Sequence, residues 1–332
     1  MSIGPIHAVT VGVRSIDASL ALFRDVIGLR VESDVELSRE LLEAWCLPAT
    51  SIARAIELSC DGHPAGRLRL VEYDPPASDV VRADGAGAGA GAGPSEAQAQ
   101  DAAADIGPKA IDLYTSKPID EAAAELERAG SPARSRPIRY EIGGVKTEEL
   151  LFTGPDGIPI LVMRGDHGAE FQRPSGTQTG YSEIPTISVV CADLDESRRF
   201  YGETLGLSLA LDAAVAPELQ EVVCELTGVP PGTRTHMLLY MDKAEPSGKY
   251  LLLHYFSASK GRLRGRMRPG RLGTSLYSHL VDDFDAVHRR LVQSGAEILT
   301  APRAVDIGNG GRARLLLACG PNEELFELLE RG

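Results

Sequence analysis

The sequence predicts an α+β fold built from four βαβββ units, and an internal repeat is the first observation behind that prediction. The stretch IDASLALFRDVIGLRV, from Ile16 to Val31, recurs as LDESRRFYGETLGLSL from Leu194 to Leu209 at a constant offset of 178 (17 to 195, 28 to 206). Each copy has an acidic residue and a serine near its start, an aromatic residue expected to face inward (Phe23 or Tyr201), and Gly-Leu at its end. This pattern is typical of an amphipathic helix that leads into a strand.

Two weaker copies of the helix are the second observation. They run from Ile119 to Gly130 and from Phe284 to Glu297, at an offset of 165 (119 to 284, 130 to 295). A short apolar strand precedes each of the four helices (AVTVGV, AIDLYT, TISVVC and SLYSHLV), and about three strand-like runs follow each one. We therefore expect units at about residues 3–74, 109–165, 184–256 and 273–330.

The segments between the units predict the domain organisation. Residues 75–107 are expected to form a linker, because the Gly- and Ala-rich run from Gly85 to Ala104 has almost nothing to bury. The polar stretch before the third unit predicts two domains, residues 1–168 and 182–332, each containing two neighbouring units. Five Arg and one Lys lie between Lys260 and Arg271. We interpret this basic run as a solvated loop, with a docking site for a substrate carboxylate or phosphate as the alternative.

Composition excludes several classes of partner. At 332 residues and 43% apolar content, the chain is long enough for about two domains. The net charge of −13, from 34 basic and 47 acidic residues, argues against a nucleic-acid or anionic-membrane partner. The sequence has no membrane-length apolar run, and it opens without a signal peptide, so we expect a cytoplasmic location. Its five cysteines lack CxxC spacing and are expected to be reduced core thiols.

Four stretches resemble parts of a known family. FRDVIGLRV, FYGETLGLSL, GPDGIPILV and GPNEELFELLE look like the helix ends and last strands of the vicinal oxygen chelate superfamily. That superfamily includes glyoxalase I, extradiol dioxygenases and bleomycin-resistance proteins. The resemblance spans nearly the whole chain and implies a four-module, two-domain member with curved mixed sheets. It also implies a divalent metal, held by the first and last strands of two paired units, that accepts two neighbouring oxygens of a substrate.

The family's metal ligands can be sought residue by residue. With the helix starts as anchors, the first-strand column falls on Ala8, Ile111, Thr186 and Leu276, and the last-strand column on Arg69, Leu161, Leu251 and Glu327. Of these eight residues only Glu327 can ligate a metal, so we expect no metal and no other cofactor. A one-residue slip of a strand is the alternative. It would offer a divalent ion (Fe, Mn, Ni or Zn) either His7 and Glu72, or His254, His279 and Glu327.

Polar residues on the predicted strands are the candidates for metal-free chemistry. A His beside a Tyr or a carboxylate transfers protons near neutral pH, because imidazole titrates there and its partner fixes the tautomer. The candidate catalytic residues are His254, His279, Tyr277, Glu327, His7 and Glu72. The candidate substrate-binding residues are Asp112, Tyr114, Tyr255 and Arg69. We expect the second half of the chain to gather its candidates around one trough.

Two classes of function remain, and the sparse aromatic content of 5% favours the first. The first is an enzyme, monomeric or homodimeric, that acts by acid–base chemistry on a small, largely apolar, oxygenated molecule as an isomerase, lyase or cyclase. A metal-dependent enzyme such as a dioxygenase or lyase is a variant of this class. The second is a small-molecule-binding or antibiotic-sequestering resistance protein.

Deletion of residues 85–93 tests the linker interpretation. The closure entropy of a flexible loop changes by only ~0.6 kcal/mol for each twofold change in length. We therefore expect the shortened protein to melt within a few degrees of the full chain in a thermal scan. Loss of the cooperative transition would show instead that the segment packs against the fold.

Overall fold

The computed structural model describes residues 3–82, 103–142, 145–165, 177–245, 247–256, 258, 260–263, 265–308 and 311–331. Within these ranges the chain forms the four predicted βαβββ units. The first unit comprises β1 (Ala8–Val13), α1 (Ile16–Phe23), β2 (Arg30–Glu36), α2 (Arg39–Ala44), β3 (Ile52–Ser59) and β4 (Arg67–Asp74). The second comprises β5 (Gly107–Tyr114), α3 (Ile119–Arg128), β6 (Ile138–Ile142), β7 (Val145–Thr153) and β8 (Pro159–Gly165).

The second half of the chain repeats this plan. The third unit comprises β9 (Thr186–Val190), α4 (Leu194–Ser197) with a π-helical continuation (Arg198–Thr204), β10 (Ser208–Ala214), α5 (Gln220–Thr227), β11 (Thr235–Met241) and β12 (Lys249–Tyr255). The fourth comprises β13 (Gly273–Leu280), α6 (Phe284–Ser294), β14 (Ile298–Gly308), β15 (Gly311–Cys319) and β16 (Leu325–Arg331). The π-helical turns are a local departure from the regular helix that the repeat predicts.

The sixteen strands form two curved mixed sheets of eight strands each. Their orders are β14-β15-β16-β13-β1-β4-β3-β2 and β10-β11-β12-β9-β5-β8-β7-β6. Within every unit the first strand pairs in parallel with the last strand. Two units then join through antiparallel pairing of their first strands, β1 with β13 and β5 with β9. The predicted α+β fold class, four βαβββ modules with curved mixed sheets, is confirmed.

The partner of each unit differs from the expectation. We expected neighbouring units to share a sheet, whereas the first sheet joins the first and fourth units and the second sheet joins the second and third. All four first strands are apolar and present the same backbone groups for pairing, so their sequences do not encode which two will meet. The division of the chain into residues 1–168 and 182–332 stays a prediction.

The sequence features that predicted the helices, a capping serine and an inward aromatic residue, have the expected roles in the structure. Ser15 Oγ accepts a hydrogen bond from Ala18 N at 3.2 Å at the start of α1, and Phe23 is 1% exposed. Tyr201, the matching aromatic of the third unit, is fully buried, as the repeat predicts. In the part of the chain that the structure describes, no helix is both long and apolar enough to cross a lipid bilayer.

Aromatic side chains join the two sheets on their helix-covered faces. The cluster contains Tyr201, Tyr240, Tyr250, Tyr277 and Phe326, each no more than 1% exposed. Neighbouring ring centroids lie 5.1–6.3 Å apart, most of them in edge-on or tilted arrangements that aromatic rings favour. Tyr201 also donates a hydrogen bond to the buried Glu324 of the fourth unit. One continuous core therefore connects both halves of the chain.

The ends of the predicted linker are ordered against the basic loop. Val81 N donates to Leu272 O at 2.9 Å, and Ile106 N donates to Gly261 O at 3.0 Å. Ala104, the last residue of the Gly- and Ala-rich run, is fully buried, whereas residues 85–102 of that run lie outside the described residues. Within the basic loop Arg271 pairs with Asp79 at 3.3 Å, so this cation is used inside the chain.

The five cysteines are free thiols. Cys60, Cys191 and Cys224 are buried, Cys319 is half-buried and Cys46 is exposed. None of the five forms a disulfide bond. The expectation of core thiols thus holds for three of them and is wrong for Cys46, which follows α2 with a positive φ of 60° at the surface.

A pair of glycines tests how tightly the two sheets are joined. Gly62 and Gly66 both have positive φ, +80° and +70°, but only Gly66 is crowded: a Cβ there would lie 2.4 Å from Ile184 O. Gly62→Ala should cost about 1–2 kcal/mol for its left-handed backbone. Gly66→Ala should cost that amount plus about 1–3 kcal/mol for overpacking, as measured by urea unfolding. Equal losses in the two variants would contradict the close approach.

Candidate functional site

A cavity of about 320 Å³ lies on the inner face of the first sheet. Helix α2 covers it: Ser38 Oγ donates to Asp306 O at 2.5 Å and Thr300 Oγ1 donates to Ala44 O at 2.7 Å, which ties the helix to β14. The lining is apolar on the side of Leu37, Leu41 and others, and charged where the first strands of the two units meet. The charged and polar lining residues are His7, Glu32, Ser33, Glu57, Arg67, Arg69 and Glu327.

Glu327 is the most constrained of these groups. It is 1% exposed, and Trp45 Nε1 donates to its Oε1 at 2.7 Å. Its other oxygen accepts from Ser278 Oγ at 2.5 Å and from Arg69 Nη1 at 3.1 Å. Burying a carboxyl group is costly unless a cation and hydrogen-bond donors surround it, and Glu327 has both.

Arg69 links Glu327 to a second carboxylate, Glu57. Its Nη2 lies 3.7 Å from Glu57 Oε2, and Arg67 Nη1 donates to Glu57 Oε1 at 2.6 Å. Burial raises the pKa of Glu57, but Arg69 and Arg67 outweigh burial, so that the pKa falls below its usual value. Burial likewise opposes the charge of Arg69, and Glu327 with Glu57 restores it, so the pKa of Arg69 rises. The floor of the cavity is therefore a buried network of paired charges.

The strand register allows a test of the family's metal position in this sheet. Arg69 lies beside Thr10 on β1, and Glu327 lies beside Ser278 on β13. Thr10 and Ser278 are each two residues along from the predicted Ala8 and Leu276. A guanidinium, two hydroxyls and one carboxylate do not fit a divalent metal, because the guanidinium occupies the carboxylate as the metal would.

The second sheet has a different set of polar residues on its inner face. Asp112 accepts a hydrogen bond from Ser188 Oγ at 3.0 Å, and Glu149 accepts one from Tyr140 Oη at 2.7 Å. Both carboxyls are buried, at 2% and 6% exposure. Lys249 Nζ lies 3.5 Å from Tyr114 Oη on the same face. Leu161 stands beside Asp112 in the register, so this face offers the family's metal position one carboxylate and a leucine.

Burial keeps the carboxyls of Asp112 and Glu149 protonated to a higher pH than is usual for acidic side chains. Burial raises the pKa of Glu149 to about 7, although the hydrogen bond from Tyr140 opposes the rise. Burial also raises the pKa of Asp112 well above its usual range, against the hydrogen bond from Ser188. Leu226 of α5 packs with Ile138 and Leu151 over this face. The second sheet thus holds nearly neutral carboxyls beneath an apolar cover.

Sequence reasoning missed Glu149 and Tyr140. The signal was present in the alternation of β7, since Glu149 shares a strand face with the apolar Leu151 while Glu148 points to the Arg139 and Arg164 side chains at 2.9 Å. An acidic residue at an inward position of a strand is buried, and burial shifts its pKa.

The predicted trough of the second half does not form. Tyr277 and His279 lie in the aromatic core, where His279 Nε2 is 2.7 Å from Tyr250 Oη and burial lowers the pKa of His279 to about 4. Glu327 lies on the opposite face of the first sheet. The expectation was wrong because alternation along β13 sends Tyr277 and His279 away from Ser278, the neighbour of Glu327.

His254 and Tyr255 belong to the second sheet. His254 Nδ1 lies 3.2 Å from both Cys191 O and Lys260 Nζ, and burial, followed by the charge of Lys260, lowers the pKa of His254. Tyr255 is fully buried, in a cluster with Ala103 and other apolar side chains. Neither residue lies with Tyr277, His279 or Glu327, so the alternative metal set of His254, His279 and Glu327 is wrong in its geometry.

The alternative metal ligands in the first half, His7 and Glu72, are also apart from each other. Glu72 accepts a hydrogen bond from Ile16 N at 2.8 Å, so its carboxylate caps α1. His7 lines the cavity of the first sheet. Of the predicted site residues, the structure brings His7, Arg69 and Glu327 together in the first sheet, and Asp112 and Tyr114 together in the second. The catalytic or binding role of each stays a prediction.

Comparison with known proteins agrees with this architecture. Residues 183–327 match the family model described as the Glyoxalase/Bleomycin resistance protein/Dioxygenase superfamily. Glyoxalase I from Zea mays superposes with a TM-score of 0.60 at 13% identity, covering 98% of this chain and 92% of that one. A putative dioxygenase from Bacillus subtilis superposes with a TM-score of 0.54 at 14% identity, covering 99% and 85%. Curated proteins gave no significant sequence match. At these identities the likeness to the solved structures shows the fold alone.

The raised pKa of Glu149 has a measurable effect on stability. Between pH 4.5 and about 7 the folded protein keeps a proton that the unfolded chain releases, so the free energy of unfolding falls as pH rises, by about 1.4 kcal/mol per unit. We expect Glu149→Gln to match the wild type near pH 4 and to exceed its stability by about 3 kcal/mol at pH 8. Urea unfolding across this range measures the difference.

Glu148→Gln is the matched control. Burial raises the pKa of Glu148, but Arg164 and Arg139 outweigh burial and lower it, so this variant should retain the fall in stability above pH 4.5. A pH profile for Glu149→Gln that runs parallel to the wild type would contradict a protonated Glu149.

Proposed function

We propose that the chain is a metal-independent acid–base enzyme, from the premise that residues 183–327 match the model of the Glyoxalase/Bleomycin resistance protein/Dioxygenase superfamily. Its substrate would be a small oxygenated molecule bound in the cavity of the first sheet. The observation that carries the proposal is the Arg69–Glu327 pair, 3.1 Å apart, at the family's metal position. The guanidinium supplies a fixed positive charge in a buried site.

The proposed roles follow from charge and position. Arg69 faces the oxygen on which negative charge develops, because buried donors of fixed geometry stabilise such charge more than water does. Glu327, held by Ser278 and Trp45, orients Arg69 through their ion pair. The apolar wall formed by Leu37, Leu41 and their neighbours receives the hydrocarbon part of the substrate.

His7 is the proposed general acid and base. It is 6% exposed, it lines the cavity, and it lies close enough to Glu57 to help lower the pKa of that carboxyl. In the proposed reaction His7 removes a proton from the carbon next to a carbonyl, the electron pair moves onto the carbonyl oxygen beside Arg69, and His7 returns the proton to a neighbouring atom. Such a transfer is an isomerisation; departure of a group from the next carbon makes it a lyase reaction.

A binding protein of the sequestering kind is the second candidate. The charges on the cavity floor already pair with one another, which suits a rigid binding surface as well as a reactive one. Under this alternative His7 would contribute a hydrogen bond to a bound ligand and no proton transfer.

Solvent proton exchange separates the two candidates. A panel of small hydroxyketones and 2-oxo acids is incubated with the protein in D₂O plus chelator, and NMR follows the hydrogen next to the carbonyl. We expect exchange that chelator leaves unchanged, and a rate about 100-fold lower in His7→Ala and His7→Gln. His288→Ala, on α6 away from the cavity, should exchange like the wild type.

Other outcomes have defined meanings. Exchange that stops with chelator while the protein stays folded, and that returns with a divalent ion, would overturn metal independence. Saturable ligand binding without exchange in any member of the panel would favour the binding protein. Normal exchange in both His7 variants would remove His7 from the mechanism.

A further inference from the structure

Three potential metal ligands meet at the junction of the two sheets, outside the cavity. Cys60 follows β3, His63 lies in the turn before β4, and Glu183 precedes β9. One ligand atom from each lies within 4.8 Å of the other two. His63 Nδ1 is 3.5 Å from Glu183 Oε1. A thiol, an imidazole and a carboxylate from separate parts of the chain thus converge on one point.

Burial makes this convergence chemically significant. Glu183 is fully buried and Cys60 is 3% exposed, while the His63 side chain is 18% exposed. Ser247 donates a hydrogen bond to Glu183 Oε1, the oxygen that also faces His63. A buried carboxylate needs a cation or several donors nearby. A cation held by the three groups would stabilise the carboxylate of Glu183 in this buried setting.

We propose that Cys60, His63 and Glu183 bind a zinc ion. Zinc binds thiolate sulfur at about 2.3 Å and imidazole nitrogen or carboxylate oxygen at about 2.0–2.1 Å, so tetrahedral ligand atoms lie roughly 3.3–3.6 Å apart. The His63–Glu183 separation of 3.5 Å already has this value. Three protein ligands leave the fourth position for water on the partly exposed His63 side. The mixed sulfur, nitrogen and oxygen set excludes magnesium and calcium, which take oxygen ligands.

The zinc ion clamps the first unit to the third. Around the site the backbone of the two units is already in contact, since Ile184 N donates to Gly66 O at 2.9 Å and Ile6 N donates to Gly248 O at 3.0 Å. Cys60 and His63 belong to the hairpin of the first sheet, and Glu183 leads into the second sheet. The ion therefore stabilises the junction of the sheets and takes no part in the cavity, whose lining includes none of its ligands.

Metal titration of the full-length protein tests the site. Protein stripped with chelator is titrated with Zn²⁺ in a calorimeter and with Co²⁺ in a spectrophotometer, where a thiolate ligand gives a charge-transfer band. We expect about one equivalent of each ion and a higher melting temperature with zinc. Cys60→Ser, His63→Ala and Glu183→Gln should each weaken binding by about 100-fold or more, and Ser247→Ala by about tenfold. Cys60→Ser should also lose the charge-transfer band.

Cys46→Ser controls for adventitious binding, because Cys46 is the exposed thiol of the chain. It should bind zinc and cobalt like the wild type. Absence of stoichiometric binding in the wild type, or an unchanged charge-transfer band in Cys60→Ser, would overturn the proposal. His7→Gln should retain the zinc, so that loss of proton exchange and loss of metal remain separate results.

Discussion

Antiparallel pairing of β1 with β13 is the interaction on which the rest of the first sheet depends. It joins units that are more than 200 residues apart and aligns Ala8 with Ser278 and Thr10 with Leu276. The parallel neighbours of these strands then carry Arg69 and Glu327 to the same inner face. A slip of one residue would send one partner of this ion pair to the helix-covered face. Strand register and site chemistry are therefore coupled.

The buried network explains how the first sheet tolerates charge in its interior. Removing a guanidinium and a carboxylate from water is costly, and the cost is offset only when the pair is close and its remaining polar atoms are satisfied. Arg69 contacts two carboxylates, and Glu327 has three donors that include Trp45 and Ser278. Such a network is rigid, and rigidity is what a site needs to hold fixed charges against a substrate.

The two sheets share a topology and differ in their inner faces. The first holds ionised groups around a cavity, whereas the second holds Asp112 and Glu149, whose pKa values burial raises, beneath Leu226 and its neighbours. The inner faces of the two sheets thus accommodate a buried carboxyl in different ways: pairing with a cation in one sheet, and protonation in the other. Identical architecture supports different chemistry because a few inward residues decide it.

Periodicity in the sequence determined the units of this protein. The repeats at offsets of 178 and 165, the capped helices and the apolar strands predicted four βαβββ units, because these features depend on neighbours a few residues apart. For the same reason, the sequence placed Arg69 and Glu327 at matching positions of the last strands of their units. Tertiary structure alone decided that the first unit pairs with the fourth, and that His279 lies in an aromatic core while His7 lies on a cavity wall. It alone also gathered Cys60, His63 and Glu183 at one point. These outcomes depend on contacts between different units of the chain, and the backbone groups that form the strand pairs are the same for every sequence.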